Sequence, residues 1–241
     1  MLTFTNLTLG YNRHPIVHHL NASIAEGDSV AIIGPNGGGK STLLKSVMSI
    51  IKPMDGTISC ALDRRQIAYL PQGADINKYF PISTGELLAM GLWHKNGCFR
   101  GFSKADKHAI HHTLEAVGLN GMEHNPLNAL SGGQIQRALF ARLILQDASL
   151  ILLDEPFNAV DVQTTKDLMQ IIKHWQSEQR TIIAVLHNYE QVKELFSKTL
   201  IIARELVAFG PTEEVLTDAN IAKAFNTQLY TADDVSAICH R

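Results

Sequence analysis

Short apolar runs alternate with stretches of helical periodicity along most of this chain. The runs that predict strands are Ser29–Ile33, Gln66–Leu70, Leu150–Leu153, Thr181–Leu186 and Thr199–Ala203. Their hydrophobicity is continuous rather than alternating, which is typical of strands covered on both faces, as in a parallel sheet. Between two of these runs, Thr164–Trp175 places apolar residues on one helical side. The alternation predicts an α/β fold.

Two parts of the chain depart from that pattern. Leu2–Leu9 alternates apolar and polar residues, which predicts an antiparallel strand paired with the segment around Ile24. From about residue 81 to residue 146 the pattern predicts helices only, at Thr84–Met90, Ser103–Val117 and Ser131–Gln146. We therefore expect one domain, with an α/β core over residues 1–78 and 147–241 and an inserted helical subdomain over residues 79–146.

Composition narrows the class of protein. The chain has 241 residues, of which 45% are hydrophobic and 18% charged, as expected for a globular protein. A formal net charge of −2 excludes a polybasic surface as the main binding device, so no nucleic-acid partner is expected. The three cysteines lack C-x-x-C spacing, which favours a reducing compartment. We find no export leader and no apolar run near the ~20 residues that cross a bilayer.

A glycine-rich loop between a predicted strand and a predicted helix is the strongest chemical signal. It matches G-x-x-x-x-G-K-[ST] and consists of Gly34, Pro35, Asn36, Gly37, Gly38, Gly39, Lys40, Ser41 and Thr42. Glycines let backbone N–H groups turn inward around phosphate oxygens, and a helix N-terminus adds positive potential. Lys40 can then reach the β and γ phosphates, and the hydroxyl of Ser41 can hold Mg²⁺.

Polar residues end three other predicted strands. Asp154 and Glu155 follow Leu150–Leu153, where ligands of open α/β sheets bind. Asp154 is a candidate Mg²⁺ ligand, and Glu155 is placed to polarise a water aimed at the γ phosphate. Gln72 and His187 end two further runs. If these strands are parallel neighbours, these side chains converge with Lys40 on one edge.

One motif does not belong to that edge. Ser131, Gly132, Gly133 and Gln134 open a helix in the predicted insertion. Ser131 can cap that helix, but a cap needs only the serine, and free N–H groups at a helix N-terminus make an anion site. We therefore expect this segment to meet a nucleotide held by a second copy of the chain, in a two-fold, head-to-tail dimer with two ATP molecules between the subunits.

Together, GPNGGGKST, Gln72, LSGGQ, LILLDEP and His187, in this order, resemble the ATP-binding subunit of an ABC transporter over nearly the whole chain. The resemblance implies a P-loop nucleotide-binding core with a helical subdomain, and an ATPase that drives transport. It also implies that Gln72 contributes to the Mg²⁺ site and that Tyr11 stacks on adenine, although a plain turn tyrosine remains an alternative. Asn158, Ala159 and Asp161 match the family's dimer-contact loop, where Ser-Ala-Leu-Asp is frequent; Asn188 stands where an aspartate usually follows the histidine.

Finer features resemble the zinc and manganese importer branch, with iron-chelate importers as near neighbours. They include Asp75, Tyr79-Phe80-Pro81, Met90-Gly91-Leu92-Trp93 and Phe157. Such subunits lie on the inner face of the bacterial cell membrane, bind polytopic permease subunits and serve a solute-binding protein. Tyr79, Phe80, Leu92 and Trp93 are candidates for an exposed docking patch, with burial in the helical part as the alternative for each.

Other interpretations stay open. His108, His111 and His112 have spacings that can chelate a metal, although a solvated helix face is the simpler interpretation. A soluble ABC-type ATPase acting on a non-transport complex is the main functional alternative. A simple P-loop kinase is a weaker one, because a kinase needs an acceptor site rather than the Ser131 segment.

Overall fold

The computed structural model describes residues 1–73, 77, 79–97, 101–158 and 160–226. The chain divides into two compact units. The first unit comprises Met1–Ala61 and Val185–Arg241, and the second comprises Leu62–Ala184. The expected division into a core and an insertion over residues 79–146 stays a prediction.

Strands and helices alternate along the described chain. The strands are β1 (Leu2–Tyr11), β2 (His14–Ile24), β3 (Ser29–Ile33), β4 (Asp55–Cys60), β5 (Ile67–Leu70), β6 (Leu150–Asp154), β7 (Thr181–Val185), β8 (Lys198–Ala203) and β9 (Glu205–Pro211). The α-helices are α1 (Lys40–Val47), α2 (Thr84–Ala89), α3 (Trp93–Asn96), α4 (Lys104–Ala116), α5 (Gly132–Gln146), α6 (Val162–Ser177), α7 (Tyr189–Leu195), α8 (Thr212–Val215) and α9 (Asp218–Asn226). Short 3-10 helices occupy Arg64–Gln66, Met90–Leu92 and Leu127–Ala129.

The first unit contains an antiparallel sheet with the strand order β2-β1-β4. Leu2 pairs with Ile24, as the alternation of Leu2–Leu9 predicts. Between β1 and β2, Asn12 and Arg13 have φ values of 51° and 65°, the left-handed pair of a two-residue hairpin turn. The apolar residues of β1 and β2 point to one side and are buried, which gives this sheet its core.

The first unit also contains β3, which pairs in parallel with β8, while β9 pairs with β8 in the antiparallel sense. Every residue of β3 is buried. In the second unit, β5 pairs in parallel with β6, and β7 is the next strand in the order. Both β6 and β7 are buried throughout. The predicted parallel strands are therefore confirmed at the pairs β3–β8 and β5–β6.

Three helices of the second unit begin with the same kind of cap. Ser83, Ser103 and Ser131 each cap a helix, at α2, α4 and α5, in a capping box that the third helical residue completes. Helix α5 is held by an apolar face on which Phe140 is fully buried and stacks on Trp175 of α6, with ring centroids 5.7 Å apart. The predicted helical periodicities match α2, α4, α5 and α6 to within two residues at each end.

Candidate functional site

The phosphate loop of the first unit connects β3 to α1. Its backbone enters the left-handed region at Gly34, Gly37 and Gly39, with φ values of 150°, 77° and 99°. Close neighbours explain why two of these positions are glycine. A Cβ at Gly34 would collide with the carbonyl oxygen of Ile202, and a Cβ at Gly39 would collide with the side chain of Val17. The loop therefore requires glycine both for its conformation and for its packing.

Lys40 is folded onto this loop. Its Nζ donates hydrogen bonds to the carbonyl oxygens of Gly34 and Pro35, both at 2.9 Å, and the residue is only 6% exposed. The same loop is braced from outside, because the backbone N–H of Arg204 donates to the carbonyl of Gly38 at 3.1 Å. These contacts engage the carbonyl groups of Gly34, Pro35 and Gly38 within the protein.

Two other predicted site residues lie in the first unit. Tyr11 is the last residue of β1 and is 45% exposed. His187 is exposed and follows Leu186, whose N–H donates to the carbonyl of Ile32 at 3.1 Å, so the segment lies beside the strand that leads into the phosphate loop. Asn188 caps α7 through its side-chain oxygen, which accepts from the N–H groups of Glu190 and Gln191. Asparagine thus performs the local capping that an aspartate would.

The predicted carboxylates lie in the second unit, at the end of β6. Asp154 is 1% exposed, and its Oδ2 accepts a 3.4 Å contact from the hydroxyl of Tyr69. Glu155 has a φ of 52°, a left-handed conformation that is uncommon for this residue type. One of its carboxylate oxygens accepts from Nε2 of Gln72 at 2.9 Å and from Nδ2 of Asn158 at 3.1 Å. The structure therefore brings together Gln72, Glu155 and Asn158.

The Ser131 segment starts α5. The Ser131 hydroxyl oxygen accepts from the N–H of Gln134, and the Gln134 side chain accepts from the N–H of Ser131. Gly132 and Gly133 form the first turn between them. A hydroxyl that accepts in the cap still has its proton to donate, so Ser131 can cap α5 and bind an anion at once.

Asp161, from the predicted dimer-contact segment, lies beside that helix start. Asp161 caps α6, and the backbone N–H and hydroxyl of Thr164 hold the pKa of Asp161 below its ordinary value, so this carboxylate is ionised near neutral pH. A Cβ at Gly133 would lie 3.4 Å from Oδ2 of Asp161. Ala159 lies outside the described residues.

Some contacts were not predicted from the sequence. Gln136 is buried and its Nε2 donates to the carbonyl of Pro156 at 2.7 Å, while Arg137 donates to Asp167 at 2.7 Å. No distinct signal in the sequence indicated these contacts, because Gln136 and Arg137 are ordinary helical residues that could equally face water. Such polar residues need partners when buried.

The candidate docking residues differ in their exposure to solvent. Tyr79, Phe80 and Trp93 are 85%, 56% and 49% exposed, whereas Leu92 is 5% exposed and belongs to the core of the second unit. The inclusion of Leu92 in an exposed patch was wrong, because its 3-10 turn packs against α5. Asp75 lies outside the described residues. His108, His111 and His112 are exposed, and within the described ranges no group of three or more His, Cys, Asp or Glu side chains is arranged to hold a metal.

Comparison with known families identifies the class. The family model for the ABC transporter ATP-binding domain, described as "ABC transporter", matches residues 17–158, more than half of the chain. The phosphate loop, the buried strand with its terminal carboxylates and the Ser131 segment all lie inside that match. The chain belongs to the ABC transporter family, and it is an ATP-binding domain that hydrolyses ATP.

Characterised relatives cover nearly all of the chain. A probable metal transport system ATP-binding protein of Chlamydia pneumoniae is 34% identical over 93% of this chain and 88% of its own length. The manganese transport system ATP-binding protein MntB of Bacillus subtilis is 32% identical, over 98% of this chain and 97% of its own length. The chelated iron transport system membrane protein YfeB of Yersinia pestis is 34% identical, over 93% and 78%.

Solved structures agree on the fold. A metal-chelate type ABC transporter in an inward-facing conformation superimposes with a TM-score of 0.82 at 30% identity, over 93% of this chain and 88% of that one. An ATP-binding cassette dimer bound to ADP and phosphate has a TM-score of 0.77 at 24% identity, over 88% and 99%, and supports the fold alone. Within the described parts of the chain, none of the helices combines the length and apolar character needed to cross a bilayer.

Proposed function

We propose that the chain is the energy-coupling ATPase subunit of a metal importer. The support is the family membership together with the names of relatives, which include manganese and chelated-iron transport systems. One observation carries the catalytic part of the proposal: a glutamate directly after a fully buried strand is held by Gln72 and Asn158 in a left-handed conformation. Backbone strain of this kind persists where the surroundings hold it and is frequent at active sites.

In this proposal the phosphate loop binds the ATP phosphates. Backbone N–H groups of the glycine-rich loop, in which Pro35 has none to donate, and the N-terminus of α1 bind the phosphate oxygens. Lys40 then leaves the carbonyl groups of Gly34 and Pro35 and binds the β and γ phosphates. Asn36, Ser41 and Thr42 complete the loop, and Tyr11 stacks on adenine. The exposure of Tyr11, at 45%, leaves a ring face available for such stacking.

Mg²⁺ is the proposed cofactor. The residues that would hold it are Ser41, Gln72 and Asp154, whose oxygen atoms are the donors that this ion prefers. The buried carboxylate of Asp154 fits this role, because a 1% exposed acid needs a compensating charge or hydrogen bonds. When bound, the ion neutralises charge that develops on the phosphate oxygens.

Glu155 is the proposed general base for the attacking water, and His187 orients the γ phosphate or that water. The side-chain amide of Gln72 donates a hydrogen bond to the carboxylate of Glu155 at 2.9 Å, so it can orient the base. A positioned general base contributes about 10²–10⁴ in rate.

In this proposal, each ATP-binding site is completed by a second copy of the chain. In the proposed head-to-tail dimer, Ser131, Gly132, Gly133 and Gln134 bind the nucleotide held by the partner's phosphate loop, and Asn158, Ala159 and Asp161 form the contact between subunits. The capping box supports this role, because it uses the N–H groups of Ser131 and Gln134 to order the helix start, where Gly132 and Gly133 are the proposed anion donors.

The membrane partners are polytopic permease subunits, which place the chain on the inner face of the cell membrane, with a solute-binding protein acting indirectly. The support in the structure is the set of exposed aromatic side chains at Tyr79, Phe80 and Trp93. Exposed aromatic residues are enriched at protein interfaces.

The catalytic proposal is tested with Glu155→Gln. We expect ATP binding to persist while hydrolysis slows by about 10²-fold or more, because the amide cannot take the proton of the water. Single-turnover hydrolysis and nucleotide binding are measured on the purified chain. Normal turnover in this variant would remove Glu155 from the role of base.

The transport proposal needs a separate test. A cell that lacks the chain should lose uptake of the transported metal, and the wild-type chain but not Glu155→Gln should restore it. Manganese, zinc and chelated iron are supplied in turn, because the relatives' names divide between manganese and chelated iron. Unchanged uptake of all of them, with a normal ATPase, favours the soluble ATPase as the function.

A further inference from the structure

Gln136 is a buried polar residue to which the proposed reaction gives no role. It lies in the second turn of α5 and is 8% exposed. Its Nε2 donates to the carbonyl oxygen of Pro156 at 2.7 Å, a short hydrogen bond for an amide donor. The carbonyl that it holds belongs to the residue directly after Glu155.

The backbone at Glu155 needs such support. A φ of 52° is a left-handed conformation that is unfavourable for a residue with a side chain. A second contact comes from within the loop, where the N–H of Asn158 donates to the carbonyl of Glu155 at 3.2 Å. The bond from Gln136 differs because it anchors the loop to a helix outside it.

That helix begins at the Ser131 segment. The next side chain of α5, Arg137, donates to Thr164 at 3.3 Å and to Asp167 at 2.7 Å, both on α6. Since α6 is capped by Asp161, the start of α5 contacts the loop after Glu155 and the dimer-contact segment at the same time. A small displacement of this helix start therefore moves both.

We propose that Gln136 is a positioning residue for Glu155, which it holds in place through the carbonyl of Pro156. Helix α5 carries the Ser131 segment at its N-terminus. When that segment binds the partner's nucleotide, a displacement of the start of α5 is passed through Gln136 to Glu155, the base of the same subunit. This inference rests on the proposed function, in which Glu155 is the base and Ser131 acts across the dimer.

The test is Gln136→Met, which keeps the length of the side chain and removes its donor. We expect kcat for ATP hydrolysis to fall by about 10- to 100-fold, since sub-ångström displacement of a base is that costly, with KM for ATP within about twofold. The matched control is Gln146→Met, because Gln146 lies on the same helix and also donates to a backbone carbonyl, that of Ile67 at 3.0 Å. The control should lose as much thermal stability and keep its kcat.

A double-mutant cycle separates positioning from general damage. If Gln136 acts through Glu155, then adding Gln136→Met to Glu155→Gln leaves the residual rate unchanged, so the two effects are strongly non-additive. Additive effects, or equal kcat losses in Gln136→Met and Gln146→Met, overturn the inference while Glu155 keeps its role. Normal turnover in Glu155→Gln alone overturns the proposed function instead.

Discussion

Gly34 and Gly37 of the phosphate loop have different surroundings, although φ is positive at both. At Gly34 a side chain would collide with a backbone carbonyl, which cannot move aside, whereas at Gly37 there is nothing within 4 Å of an added Cβ. Both have positive φ. Both positions therefore carry a conformational penalty for other residues, and only Gly34 adds a steric one.

We expect Gly34→Ala to destabilise the chain more than Gly37→Ala does. At Gly37 a φ of 77° costs alanine roughly 1–2 kcal/mol. At Gly34 a φ of 150° lies outside the left-handed helical region and is adopted almost only by glycine, and the collision there adds about 1–3 kcal/mol typical of overpacking. Denaturant unfolding of the nucleotide-free chain measures both. Equal midpoints for the two variants would contradict the contact between Gly34 and Ile202.

For single residues, the sequence indicates which side chains are candidates for the site, but not which other residues position them. Asp154, Glu155 and Gln72 are found because polar residues follow apolar runs. Gln136 is not found, since a lone glutamine in an amphipathic helix has the same pattern whether it faces water or a buried carbonyl. Only the three-dimensional partner distinguishes these two cases.

Three helices of the second unit begin with the same serine-based cap, yet only one of them carries the Ser131 segment. In Ser103 the hydroxyl accepts from the N–H of Asp106 at 3.1 Å, and in Ser131 from the N–H of Gln134 at 3.3 Å. The local contribution to helix stability is therefore matched. Any difference in function between the two serines must come from what lies outside the helix.

Ser131→Ala and Ser103→Ala should each lower the free energy of unfolding by about 1 kcal/mol, the usual effect of losing a serine cap. ATP hydrolysis should fall in Ser131→Ala alone, because only that hydroxyl is proposed to meet a nucleotide. Thermal denaturation and steady-state ATPase rates are compared for both. A similar loss of rate in Ser103→Ala would reduce Ser131 to a cap.

Element prediction succeeds where one face or both faces are strongly apolar. Strands β3 and β6 are buried throughout, and helix α6 has a clear apolar side, so their patterns are unambiguous. Strand β4 was missed because its sequence DGTISC is polar and its residues are only exposed or half-buried. Strand β9 was not predicted either, and its residues are half-buried along most of its length. Pairing with β1 and β8, rather than local pattern, fixes these edges.

The residues proposed to act on ATP are distributed over both compact units. Lys40 and His187 lie in the first unit, and Glu155 and Ser131 lie in the second. The order of the motifs could be predicted from the sequence, because each follows its own strand or opens its own helix. Their assembly was inferred from the chemistry of these segments, because the periodicity of a chain carries no information about a partner.

The proposed dimer makes a prediction about mass. With Glu155→Gln to slow hydrolysis, ATP and Mg²⁺ should double the molecular mass measured by light scattering and retain two ATP molecules per dimer. Adding Ser131→Arg to that variant should abolish the doubling, because the bulky cation replaces the donor at the partner's nucleotide, while ATP still binds to the intact phosphate loop. The control is Ser103→Arg in the same background, which alters an equivalent helix cap and should still form the dimer. If the Ser131→Arg chain dimerises and retains two ATP molecules, or if a monomer of the parent variant occludes its nucleotide alone, then the Ser131 segment does not complete a second subunit's site.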